Sequence, residues 1–432
     1  MYFPPSGDPA SSTVAGLLQS VPLPRVAPVA QRYDRPRVHD VEAELARLLR
    51  EKGSLAALQK GQRIAITAGS RGIVNLPLAL RTIVREVRAA GGDPFLVPAM
   101  GSHGGASAEG QLALLKGLGI DEATVEAPIL SSMETVAVGT SANGLPAYMD
   151  KYAAEADGVI TVNRVKPHTS FRGAIESGVL KMLVIGLGKQ KGADVCHNAG
   201  FGRMGENVAA LAETILANKN ILCGVALLEN AFHETARLEV LAPGEMIARE
   251  PDLLREAWNL APKIFFDSLD VLIIDEIGKD ISGTGFDCNV VGRFHNPHAH
   301  GGPDIARVGI LDITDKSRGS GYGIGLADFT TRRAYDKFLP EQSYPNALTT
   351  TATLAAKMPM VLANDRQAIQ AAVKTCNRDD LGAVRLVRIK NTIDMETVYV
   401  SESLKEHCLA HPNLTITGEF APFAFNGRGD LW

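Results

Sequence analysis

Three histidines and one lysine in this chain have the type and setting for proton transfer, covalent attachment and metal binding. His103 lies in Gly101-Ser102-His103-Gly104-Gly105 and His168 in Lys166-Pro167-His168-Thr169-Ser170, each after a strand-like run. Imidazole titrates near neutrality, so a histidine in a polar loop serves as a proton carrier or a metal ligand. Lys181 stands in the apolar stretch SGVLKMLVIGLG, and His197 follows sixteen positions later in VCHN. A free ammonium in an apolar setting is expensive unless it is paired, neutralised or consumed by chemistry. Lys181 is therefore expected either to have a function or to lie on a surface that the sequence disguises.

Other motifs carry less. Gly69-Ser70-Arg71-Gly72 follows the strand-like RIAIT. Such a loop presents backbone N–H groups to a phosphate, with Arg71 adding a forked contact, but ordinary turn chemistry explains it equally well. GLGKQKG, residues 186 to 192, resembles a dinucleotide fingerprint. Its third glycine is late and no acidic ribose ligand follows a strand, so NAD binding is discounted. GSGYGIGLADF (319 to 329) lacks the Lys-Ser/Thr ending of a P-loop and reads as a mobile loop. His295, His298 and His300 in FHNPHAHGG form a compact cluster. A surface turn is the favoured reading there, and a metal-dependent hydrolase or lyase is the competing one. His39, His233, His407 and His411 are isolated, and Cys196 reads as a buried, inert thiol.

The elements that must position these residues alternate. RIAIT (63 to 67), DPFLVP, DGVITVN (157 to 163), LCGVALL and DVLIID (270 to 275) are strand-like. Between them NLPLALRTIVREVRAAGG, with a cap at Asn75, a segment opened by Ser107 and Glu109, NVAALAETILANK and EMIAREPDLLREAWNL have helical spacing. This alternation predicts α/β architecture: two α/β domains with largely parallel sheets and an interdomain cleft. The expected division is an N-terminal extension over 1–30, an N-terminal domain over 31–265 and a C-terminal domain over 266–432. In open α/β sheets, sites form beyond the carboxyl ends of the strands, where the three loops fall.

Composition narrows the function classes. The 432 residues are 45% hydrophobic, enough for two or three real cores. With 44 basic against 48 acidic residues and no basic arm, nucleic acid is not an expected partner. The longest apolar runs are strand-length, and the N-terminus lacks the charged start and sustained apolar run of a signal peptide, so the expectation is a cytoplasmic protein with no membrane partner. Five cysteines, scattered without a CxxC pair, argue against a disulfide framework and a thiolate zinc site. The oligomeric state is open, a homo-oligomer included.

Taken in order, PAMGSHGGASAEGQ, VKPH, the lysine of GVLKMLVIGLG and the histidine of CHN resemble the nickel-dependent lactate racemase family of 2-hydroxyacid racemases and epimerases. The resemblance is good over roughly residues 60 to 230 and poor in the C-terminal third; its most specific element is the Lys181–His197 interval. It implies a nickel pincer nucleotide joined to Lys181 as a thioamide, with His197 as a nickel ligand. It also implies a small 2-hydroxy acid as substrate, inverted at C2 by hydride transfer, with His103 and His168 as the acid/base pair. Gly69, Ser70 and Arg71 would meet the nucleotide. The family's first loop usually reads Asp-x-Thr-Arg-Pro, whereas this chain has Ala68-Gly69-Ser70-Arg71-Gly72, and Gly104 stands where the lactate enzymes carry arginine. Those departures imply an acid larger or more polar than lactate; the alternative to catalysis is a binding or carrier homologue that kept the pocket and lost the chemistry. Arg172, together with Lys279 and Asp280 of DEIGKDISGTGFD, are the candidate substrate-binding residues.

Overall fold

The structure is a computed structural model that describes residues 12–70 and 72–432. Contacts divide the chain into Asp34–Ala261 and a second unit that joins Pro262–Trp432 to the segment ending at Tyr33.

The Asp34–Ala261 unit is built on a five-stranded sheet, in the order Asp93–Pro98, Arg63–Ala68, Gly158–Arg164, Ile221–Glu229, Thr235–Leu241. The first four strands run parallel and the last antiparallel. Their near-continuous apolar sequences follow from burial on both faces. Ala65, Phe95, Val97 and Val159 point into one core, while Ile64, Ile66, Leu96 and Ile160 point into the other. The second core is closed by helix Leu76–Ala89, whose Leu76, Leu80, Ile83, Val84 and Val87 recur at helical spacing and are all buried. Asn75 does precede this helix, but its backbone is left-handed (φ 62°) and its side chain makes no cap bond. Its amide donates instead to Thr235 Oγ1 at 3.1 Å. The first core is closed by Met204–Asn218, Met246–Leu260 and the helical run through Lys181, and an antiparallel ribbon, Thr135–Thr140 with Pro146–Asp150, packs beside them.

The other unit carries an eight-stranded sheet: Met360–Leu362, Phe329–Thr331, Asp304–Ile313, Ser268–Ile277, Leu386–Ile389, Thr397–Ser401, Val26–Gln31, Leu414–Ile416. Its first five strands are parallel and the rest antiparallel. Here the chain differs from the expected N-terminal extension. Val26–Gln31 lies inside this sheet, with Val26, Ala27, Val29 and Gln31 buried between Thr397–Ser401 and Leu414–Ile416. Pro24 and Pro28 hide the strand in the sequence, because proline rarely sits within a ladder. Among the described residues no helix is long and apolar enough to cross a membrane.

Candidate active site

Parallel strands put all their carboxyl ends on one edge, so the segments leaving Ala68, Pro98 and Arg164 emerge together. The loop after Ala68 holds Gly69 and Ser70; Arg71 lies outside the described residues. Gly69 is buried, and a Cβ there would lie 3.0 Å from Met182 Cε, so this loop packs on the residue next to Lys181. Its far end is anchored where Glu229, at the end of its strand, accepts from Val74 N (2.9 Å) and pairs with Arg164. Although burial opposes it, bonds from His233, Arg164 and Val74 hold the Glu229 carboxyl down at about 2.

The loop after Pro98 carries His103. Its Nδ1 lies 2.8 Å from Met100 O and 3.1 Å from Ser70 Oγ. A carbonyl only accepts, which assigns the proton to Nδ1 and leaves the Nε2 lone pair as the basic position. Gly104 has φ 70°, and a Cβ there would approach the Gly110 carbonyl carbon to 2.6 Å. An arginine therefore has no room at 104 in this backbone, which accounts for the departure from the family pattern.

The segment after Arg164 closes on itself through Lys166 and Ser177, which exchange backbone hydrogen bonds of 3.0 and 3.3 Å. Within the closed loop His168 Nδ1 accepts from Ser170 N at 3.0 Å. The neutral ring is thereby assigned the opposite tautomer, with its proton on Nε2. Glu176 is buried beneath the loop and accepts from His168 N at 2.6 Å. Burial raises its carboxyl above the ordinary range, against the pull of the backbone bond and of Arg172. Arg172 is engaged within the loop: its guanidinium donates to His168 O (2.6 Å) and Phe171 O (3.0 Å), sits 3.6 Å from Glu176 and lies over Trp258. Its position fits a clamp on the His168 loop.

Lys181 ends the short turn Val179–Lys181, which runs into a π-helix, Met182–Gly186. Single π-turns concentrate at functional sites. The Lys181 amine is half-buried, 5.3 Å from the Phe171 ring centroid, and the His168 ring packs on the same Phe171 with centroids 4.4 Å apart. His197 stands in helix Lys189–Asn198, which follows that π-helix. Burial first, then the Lys181 charge, lowers the His197 imidazole below its ordinary value, so it is neutral at neutral pH. Burial pushes the adjacent Cys196 thiol up to about 11, as expected for an inert cysteine. An amine and an imidazole whose titration feels its charge are a chemically suitable set for a group that is bonded through nitrogen and carries a borderline metal.

Lys279 and Asp280 belong to the other unit. Lys279 Nζ donates to Gly283 O at 3.0 Å and lies over Tyr322, and Asp280 Oδ1 accepts from Thr314 (2.5 Å) and Ser317 (3.2 Å). His295 is buried while His298 and His300 are exposed, and among the described residues no three His, Cys, Asp or Glu groups could hold a metal ion. The three histidines of this alternative do not form a centre.

Several residues that the sequence did not single out support the site. Glu250 lies beneath Lys181, fully buried, and accepts from Leu180 N at 3.0 Å. Burial raises its carboxyl to about 7, and its Oε1 has no hydrogen-bond partner. The only sequence signal was Gly178, where a Cβ would collide with this carboxyl. Lys189 is the lysine that is wholly buried. Its amine meets Pro98 O, Gln111 Oε1 (3.1 Å) and Asp150 Oδ2 (3.2 Å). Burial drives the Lys189 ammonium down and the Asp150 carboxyl up, each opposed by its partner's charge.

Residues 20–208 match the family described as the lactate racemase N-terminal domain. Among solved structures, the lactate racemase apoprotein from Thermoanaerobacterium thermosaccharolyticum superposes with a TM-score of 0.50 at 13% identity, covering 85% of this chain and 99% of that one. At that identity the likeness speaks for the fold. No curated protein matches the sequence. The matched segment, a little under half of the chain, spans the sheet edge where Ser70, His103, His168, Lys181 and His197 are placed, so this part of the chain carries a lactate racemase N-terminal domain.

Proposed function

We propose that this protein is a racemase or epimerase that inverts C2 of a small 2-hydroxy acid in the cytoplasm, holding a nickel pincer nucleotide through Lys181 and His197. What supports the reading is the Lys181 amine lying over the Phe171 ring on which His168 also packs, together with the Lys181 charge acting on the His197 imidazole. Lys181 would be the attachment point and His197 the metal ligand, with Gly69 and Ser70 in the loop that would meet the nucleotide and Arg71 the phosphate partner that the resemblance implies. When bound, the cofactor supplies an electrophilic acceptor that takes a hydride from the substrate and returns it.

The α-hydrogen beside an ionised carboxylate is not acidic, so loss as hydride avoids a carbanion. The hydroxyl proton must leave with it, and that is the work of the histidines. His103, with its Nδ1–H turned to Met100 O, offers Nε2 as base for one enantiomer. To protonate the product oxygen, His168 would first release Ser170 N and take a proton at Nδ1; as imidazolium it would then give its Nε2 proton and end neutral, while His103 returns the proton it took to solvent. For the opposite enantiomer the roles exchange, and His168 must first give up the Ser170 bond to become the base. Both rings would stay on their own loops while the 2-keto acid turned to present its other face.

The test is co-expression with cofactor-synthesis enzymes, followed by mass analysis of the Lys181 peptide, nickel quantification and a panel of chiral 2-hydroxy acids scored for inversion. An added mass on Lys181 with one nickel per chain, and inversion of at least one acid, is expected. An unmodified Lys181 without nickel, or a loaded protein that inverts none of the panel, refutes the reading.

A further inference from the structure

GLGKQKG looks like a phosphate loop, yet its first lysine points inward. Lys189 has no exposed surface, and its backbone is left-handed (φ 54°). A residue with a Cβ adopts that conformation at a cost, and strain of this kind persists only where the surroundings over-determine it. Lys189 stands at the bend between the helical run carrying Lys181 and the helix carrying His197. Its amine reaches Pro98 O, at the root of the His103 loop, and Gln111 Oε1 at 3.1 Å. Gln111, itself fully buried, passes the connection on: its Nε2 donates to Gly101 O (2.9 Å) and His103 O (3.3 Å). Asp150, also fully buried, balances the charge at 3.2 Å and receives the chain from the bend through Asp150 N to Leu187 O at 2.7 Å.

We propose that Lys189 is a positioning residue that, through Gln111, fixes the His103 loop relative to the Lys181–His197 bend. A buried ion pair is poor value for stability, since well-packed apolar residues of the same volume often do as well or better. Three acceptors drawn from three segments, converging on one amine, instead define a distance between those segments. The role rests on the reading of His103 as a proton carrier. The His168 loop is held separately, by Glu176 and Arg172, and so serves as an internal control.

The test uses two variants of the full chain without cofactor. K189M/D150N removes both charges at once, so neither is left buried alone, and the substituted carboxamide keeps an oxygen for the Tyr152 and Ala153 amides that Asp150 now caps. Q111M leaves the Lys189–Asp150 pair and the bond to Pro98 O in place and removes the bonds Gln111 makes to Lys189, Gly101 O and His103 O. In both, amide exchange over residues 99–104 is expected to quicken by about tenfold or more while residues 166–177 keep their protection. If the double variant does not fold, Q111M decides alone. Unchanged exchange at 99–104, or an equal rise in both loops, overturns the clamp. In loaded enzyme, Q111M is expected to lower kcat roughly 10–100-fold with KM nearly constant, and to cost nothing further on top of H103A. Multiplicative losses would mean that Gln111 does not act through His103. A parent protein that inverts no 2-hydroxy acid defeats the functional reading but leaves the exchange result to judge the clamp.

Discussion

Glu250 gives a prediction whose sign and size both follow from its surroundings. The carboxyl is fully buried beneath the turn carrying Lys181, and burial raises it to about 7 from 4.5, against the bond from Leu180 N. Between those values the folded chain holds a proton that the unfolded chain has lost. Stability rises with pH only where the unfolded state binds more protons, so here it falls as pH climbs from about 4.5 and levels off above about 7. Each pH unit of displacement is worth about 1.4 kcal/mol, which makes the total loss about 3 kcal/mol. E250Q keeps an oxygen for Leu180 N and cannot ionise, so it escapes this loss. Trp258 and Trp432 fall in different units, so fluorescence in a W432F background follows the unit that contains Glu250. In urea titrations, E250Q is expected to gain on its parent by roughly 2–3 kcal/mol between pH 5 and pH 8. Parallel curves for the two proteins over that range would show that Glu250 ionises as if in water and would refute the buried, half-satisfied carboxyl.

Further outcomes are open to direct measurement. G178A places a methyl against the Glu250 carboxyl and should destabilise this unit by about 2–4 kcal/mol, with E250A restoring most of the loss in a melting experiment. Glu229 behaves in the opposite sense: its carboxyl, held at about 2, contributes stability above about pH 4.5 that disappears as pH falls through 2, so E229Q should flatten the acid limb of the denaturation curve. R172K keeps the charge but loses the two-carbonyl clamp on the His168 loop. A drop in kcat of about tenfold with KM unchanged supports the clamp, whereas a rise in KM alone would return Arg172 to the substrate carboxylate. K181M and H197A should separate attachment from metal binding: the first abolishes the mass increase on the peptide, and the second lowers nickel content while the mass increase remains.

Much of the molecule was legible from local pattern. Buried parallel strands need unbroken apolar runs, so RIAIT, DPFLVP and DVLIID declared themselves, and polar loops after strands marked where His103 and His168 would stand. The interval from Lys181 to His197 is carried by one helical run, one bend and one helix. Val26–Gln31 was not legible, since its partners lie more than 350 residues away in the chain and its prolines oppose the local pattern.

Charge placement was the part that sequence could not decide. Lys181 and Lys189 both stand in apolar, glycine-rich surroundings, yet Lys181 is half-buried over the Phe171 ring while Lys189 is sealed among Pro98, Gln111 and Asp150. The Glu250 carboxyl belongs to an ordinary helical pattern, and only the approach of Gly178 turns it into a buried acid with one unpaired oxygen. Residue order fixes which groups a segment can offer. Whether a charge meets water, a partner or a closed core depends on segments brought from elsewhere in the chain, and that is decided only when the fold closes.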